Sequence, residues 1–116
     1  MLWPFLLWNL YMEGEIHVSV MIVGADHLGN IKKNLQVYGM CDIEHVSGRM
    51  VSDRKKFSIP RSISLVVVLT DFVNHGTAKN VKSQAKLQGV QTIFAKRSWC
   101  SVAEQLEKHN FPLRRV

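Results

Sequence analysis

Four short polar clusters carry the residue types that could do chemistry, and each stands directly after an apolar, β-branched run. Val18-Ser19-Val20-Met21-Ile22-Val23 gives way to Gly24-Ala25-Asp26-His27-Leu28-Gly29-Asn30. Ile43-Glu44-His45-Val46 gives way to Ser47-Gly48-Arg49, and Leu65-Val66-Val67-Val68-Leu69 to Thr70-Asp71-Phe72-Val73-Asn74-His75. Val90-Gln91-Thr92-Ile93-Phe94 gives way to Ala95-Lys96-Arg97-Ser98-Trp99. The strongest chemistry here is anion binding. Arg49, Lys96 and Arg97 are cations, and a guanidinium grips phosphate or carboxylate with two parallel N–H groups. Ser47-Gly48-Arg49 and Arg97-Ser98 each add a hydroxyl, and Ser98 at a helix start would add backbone N–H donors. Asp26, His27, Asn30, Asp71, Asn74 and His75 complete the candidate ligand-binding set.

A second chemistry is metal or haem ligation. His27, His45 and His75 fall at strand ends beside Asp26 and Asp71, and imidazole with carboxylate suits Zn²⁺ or Fe²⁺. No two of them have the H-x-x-x-H spacing that puts paired ligands on one helix face. For catalysis no set emerges, because Ser47 and Ser98 lack the strand–turn–helix elbow of a nucleophilic serine. The reading therefore leans to a binding domain and away from an enzyme.

Two phosphate motifs are excluded by single residues. In Gly24-Ala25-Asp26-His27-Leu28-Gly29 the middle glycine of a dinucleotide fingerprint is Asp26, whose charge would repel a pyrophosphate. No Lys-Ser/Thr follows Gly29, so it is not a P-loop. Asp71 and Lys96 resemble the phosphoacceptor and lysine positions of response-regulator receivers. A receiver, however, needs an acidic pair after its first strand and a fifth strand, and neither is present.

The elements that must position these clusters follow from periodicity. Leu28, Ile31, Leu35 and Tyr38 recur at helical spacing, with Gly39 as the stop. Asn74 or Thr77 can cap a second helix with the stripe Ala78, Val81 and Ala85, ended by Gly89. Ser98 caps a third, with Trp99, Val102, Ala103 and Leu106 inward and Asn110 and Pro112 beyond its end. An unbroken Leu65–Leu69 run marks a strand covered on both faces. The expected fold is α/β: a small, doubly wound, mostly parallel four-stranded sheet of order 2-1-3-4, Rossmann-like or flavodoxin-like, in three layers. In such a sheet all strand carboxyl ends share one edge, where ligands bind.

With 116 residues and a formal charge of +6, one domain and an anionic partner are expected. Residues 1–14 read as an apolar extension, a gene-start artefact or disordered tail with translation from Met12 or Met21. Residues 15–110 form the domain and 111–116 a basic tail. The stretch from Met1 to Tyr11 is shorter than the ~20 residues of a membrane span and lacks a signal peptide's basic start. Left exposed, it would be an association patch, and a homodimer is one outcome. Arg49 to Ser64 reads as a polar turn or short helix, basic from Arg49 to Lys56, and then an extended approach to the third strand. It is either a solvated basic loop or a basic flap over the carboxyl edge. Nucleic-acid binding through Arg54, Lys55, Lys56 and the Lys79/Lys82/Lys86 face ranks last, for want of an aromatic stacking platform. Cys41 and Cys100 have no zinc spacing and read as buried thiols, so a cytoplasmic setting is favoured.

Taken together, Gly24-Ala25-Asp26-His27-Leu28-Gly29-Asn30-Ile31, His45-Val46-Ser47-Gly48-Arg49, Thr70-Asp71-Phe72-Val73-Asn74-His75 and Lys96-Arg97-Ser98-Trp99 resemble the bacterial domain-of-unknown-function 2325 family. The resemblance covers roughly residues 17 to 108 and leaves out the N-terminal extension. It implies a small Rossmann-like bacterial domain without an assigned activity. Its pattern, carried onto this chain, picks out Asp26, His27, Asn30, His45, Arg49, Asp71, Asn74, His75, Arg97 and Ser98.

Overall fold

Five consecutive apolar residues from Leu65 to Leu69 need cover on both faces, and every one of them is buried. The computed structural model describes residues 18–40, 42–47, 57–109 and 111. Among these it forms four strands, β1 (Ser19–Val23), β2 (Asp42–Val46), β3 (Leu65–Leu69) and β4 (Gln91–Ala95). They make one all-parallel sheet of order β2-β1-β3-β4. Three helices, α1 (Asn30–Val37), α2 (His75–Gln88) and α3 (Trp99–Lys108), and a 3-10 turn at Thr70–Phe72 complete the described elements. The fold is the expected α/β one.

Strand alternation divides the core in two. Val20, Ile22, Leu65, Val67, Leu69 and Ile93 face α1 and α3, meeting Ile31, Leu35, Val102 and Leu106. Met21, Val23, Val66 and Val68 face the opposite layer, where Val81 and Ala85 of α2 pack beside Phe57, Ile59 and Ile63. Each such side chain is stabilised by about 1.5–3 kcal/mol on full burial, which is why the two middle strands hold the sheet together.

The described part of the β2–β3 connection, Phe57 to Ser64, contains no helix. Pro60 is incompatible with a helix running through it. Three buried side chains of this segment serve instead as cover for the sheet. It is held from α2, where Gln84 Nε2 donates to Phe57 O at 3.2 Å and Gln88 Nε2 to Ile59 O at 2.9 Å. The basic loop read at 49–56, the N-terminal extension and all of the basic tail beyond Phe111 lie outside the described residues, as does Cys41.

Helix ends follow local rules. Asn74 rather than Thr77 caps α2, accepting the Thr77 N–H at 2.7 Å, while Thr77 itself is buried. Ser98 caps α3, accepting the Ser101 N–H at 3.2 Å. Cys100 corrects an expectation: it is exposed. The buried positions of α3 are Val102 and Leu106, and a residue two before Val102 lies on the other side of the helix.

Of the four glycines at positive φ among the described residues, Gly89 and Gly24 have it for different reasons. Gly89 ends α2 in the left-handed region at φ 70°, with open space where a side chain would be. Gly24, at φ 114°, ends β1 pressed against β3: an added Cβ would meet Leu69 O and Val73 Cγ1, both at 3.1 Å. Gly89→Ala should therefore cost about 1 kcal/mol from conformation alone. Gly24→Ala should cost about 2–3 kcal/mol, because strain and contact with main chain add. Urea unfolding midpoints of the two variants compare them, and equal losses would contradict the close approach.

Candidate functional site

Because the strands are parallel, the segments 24–29, 47, 70–74 and 96–98 all leave the same edge of the sheet. Between β1 and β3 the chain turns to opposite faces, toward α1 after β1 and toward α2 after β3, the place where open α/β sheets usually leave a crevice. Here the crevice is narrowed by Gly24 seated on Leu69 and Val73. The polar groups gather toward the α1–α3 side of it.

Arg97 is the residue that ties the edge together. Its backbone N–H donates to Asp71 Oδ1 at 2.9 Å, fixing the end of β4 against the turn after β3. Its side chain reaches back across the sheet, and Nε donates to His27 O at 2.6 Å. The guanidinium lies over the Phe72 ring, 5.8 Å from Cζ to centroid. Three of the four strand-end clusters are thereby joined through one residue. A side chain at Gly29 would come within 3.5 Å of Arg97 Nη2, so glycine there leaves room beside the fork. Gly29 is also the N-cap of α1, and no side chain caps that helix start.

His45 has a structural assignment. The register pairs it with Ile22, next to the end of β1. Its Nε2 lies 2.9 Å from Gly24 O and 2.8 Å from Ala25 O. Carbonyl oxygens only accept, so Nε2 carries the proton and donates to both. Gly24 and Ala25 both have positive φ, and for Ala25 (φ 62°) this is a costly conformation. The imidazole pins that turn, which aims the following residues at Arg97. A nitrogen engaged in this way is not open to a metal.

The other candidates divide by what their side chains do. Asn74 and Ser98 are spent on helix caps. The start of α3 is closed further, since Ser101 Oγ accepts the Lys96 N–H at 3.0 Å. One donor expected behind Ser98, the Ser101 N–H, is therefore already taken by the Ser98 hydroxyl, and the α-helix start without a side-chain cap is that of α1. Asp26, His27, Asn30, Asp71, His75 and Lys96 are exposed, and Ser47 is half-buried at the end of β2. Arg49 lies outside the described residues. Among the described residues no three His, Cys, Asp or Glu side chains are grouped as a metal ion would need, so His27, His45 and His75 do not converge. Sequence reading passed over Phe72; its signal was an aromatic inside a polar strand-end cluster.

A family model described as "Uncharacterized protein conserved in bacteria (DUF2325)" matches residues 19–109. The chain belongs to this family. No curated protein and no solved structure matches it. The matched stretch of this DUF2325 chain contains every element of the sheet and all three helices. Among the described residues no helix is long and apolar enough to cross a membrane.

The account of His45 predicts the behaviour of two variants. His45→Ala removes the donor from a turn held at positive φ, and the loss should be about 1–1.5 kcal/mol. Amide hydrogen exchange should accelerate at Asp26 to Gly29 and stay unchanged in α2. His45→Phe, which fills the space without a donor, should show the same local loosening. Wild-type exchange rates in either variant would remove the pinning role.

Proposed function

We propose that this DUF2325 domain binds a small anion at the carboxyl edge of its sheet, as a binding or regulatory module. The observation that carries the reading is the anchoring of Arg97. A free arginine on a surface loses side-chain entropy when it closes on a ligand. Arg97 has its backbone on Asp71, its Nε on His27 O and its charge over the Phe72 ring, so part of that ordering cost is met in the folded protein. The Nη end of the fork remains beside Gly29 and the start of α1, where the helix dipole also favours negative charge.

Charge limits the size of the anion. Asp26 and Asp71 are exposed on the same edge. Two carboxylates there disfavour a polyphosphate and leave a monoanionic or dianionic group, a carboxylate or phosphomonoester, as the fitting class. Lys96 is exposed next to Arg97 and adds attraction without a second fork. For a histidine-held metal or for nucleic acid, no arrangement of described residues adds support.

Thermal unfolding with inorganic phosphate tests the reading. At a hundred times its dissociation constant a ligand adds about 2.7 kcal/mol of stability. The wild-type melting temperature should rise with phosphate, and the rise should vanish in Arg97→Ala. Arg97→Lys should retain part of it, since the charge stays and the fork goes. An equal rise in wild type and Arg97→Ala would refute the assignment.

A further inference from the structure

We propose that the anion is joined to a flat aromatic ring, and that the ring stacks on Phe72, which makes a nucleoside monophosphate the fitting class of ligand. The inference rests on the reading of Arg97 as the anion contact. Its own observation is the placement of Phe72. Among the described residues the large apolar side chains left exposed are Val37, Phe72 and Leu87. Phe72 alone of these lies at the carboxyl edge, in the 3-10 turn that follows the central strand β3. The residue is 50 % exposed, in a turn set between β3 and α2.

The ring is held as well as exposed. Arg97 lies over it, and Arg97 is itself fastened to His27 O. A guanidinium within about 6 Å of a ring centroid is attracted to the ring face. An aromatic side chain with one face occupied and half its surface in water offers the remaining surface to another π-face. Such stacking accepts any planar ring and needs no hydrogen-bond code.

Geometry sets the length of the ligand. Arg97 Cζ lies 5.8 Å from the Phe72 centroid, and a ligand ring on the face of Phe72 away from it would stand a further stack thickness off. A ring bonded directly to its anion cannot reach both. A ring and an anion joined through a sugar can. The carboxylates of Asp26 and Asp71 favour a single phosphate over a chain of them. Recognition of this kind does not need the glycine loop of dinucleotide sites, because the anion is met by a side chain rather than by main-chain amides.

Calorimetric titration of the full chain with four probes tests the proposal: adenosine 5′-monophosphate, ribose 5-phosphate, phenyl phosphate and inorganic phosphate. Adenosine 5′-monophosphate should bind about tenfold tighter than ribose 5-phosphate, the difference being one stacked base. Phenyl phosphate should bind no better than inorganic phosphate, because it is too short to bridge. Phe72→Ala should weaken both ligands through the loosened Arg97 and bring adenosine 5′-monophosphate and ribose 5-phosphate to the same affinity, erasing the tenfold difference, while Phe72→Tyr should keep it. Equal affinity for adenosine 5′-monophosphate and ribose 5-phosphate would overturn ring recognition and leave the anion reading standing. So would a difference that survives Phe72→Ala. If no probe binds, the anion reading falls and this inference falls with it.

Discussion

Complete burial of β3 constrains everything else in this domain. A strand with Leu65, Val66, Val67, Val68 and Leu69 all out of water must have a neighbour on each side and cover on each face. Parallel pairing with β1 and β4 supplies the neighbours, and right-handed crossovers supply the layers. Once those are in place, the ends of β1, β3 and β4 have one edge to leave from. The segments that follow them are then near each other, although up to 74 positions separate Gly24 from Ser98 in the chain.

What happens at that edge is decided by competition for polar partners. Backbone groups leaving a sheet lose their ladder bonds and must find others. Much of the polar equipment of the clusters supplies those replacements. His45 goes to the carbonyls of Gly24 and Ala25, Asn74 and Ser98 to helix caps, and Asp71 to the Arg97 N–H. Arg97 holds the fold with its backbone and Nε, and still has a fork beyond. This difference, between side chains spent on the fold and one with donors beyond those it spends, separates the candidate contact from its surroundings.

Much of the fold was legible in the sequence because its signals are local. The valine-rich run, the i, i+3 and i+4 spacing of Ile31 and Leu35, and the Asn and Ser caps act within a few residues of themselves. Element ends shifted by about one residue, as at β4, since hydrogen bonds to a neighbour and not propensity fix where a strand stops. The site was less legible. Nothing near His45 in the chain says that its imidazole will lie beside Gly24; the β1–β2 register decides that. Nor does the sequence around Arg97 show that its side chain crosses to His27, a contact spanning 70 positions. Cys100 failed for a simpler reason, because helical phase and not residue type put it outward.

The claim that Arg97 is held in place for an anion is tested most directly by the nitrogen-resolved NMR signal of its own Nε–H during a phosphate titration. The account predicts that this resonance and the amides of Asn30 and Ile31 shift together and saturate. The amides of Lys79, Lys82 and Lys86, on the exposed face of α2, should stay in place. A saturating response on α2 with Arg97 unmoved would contradict it.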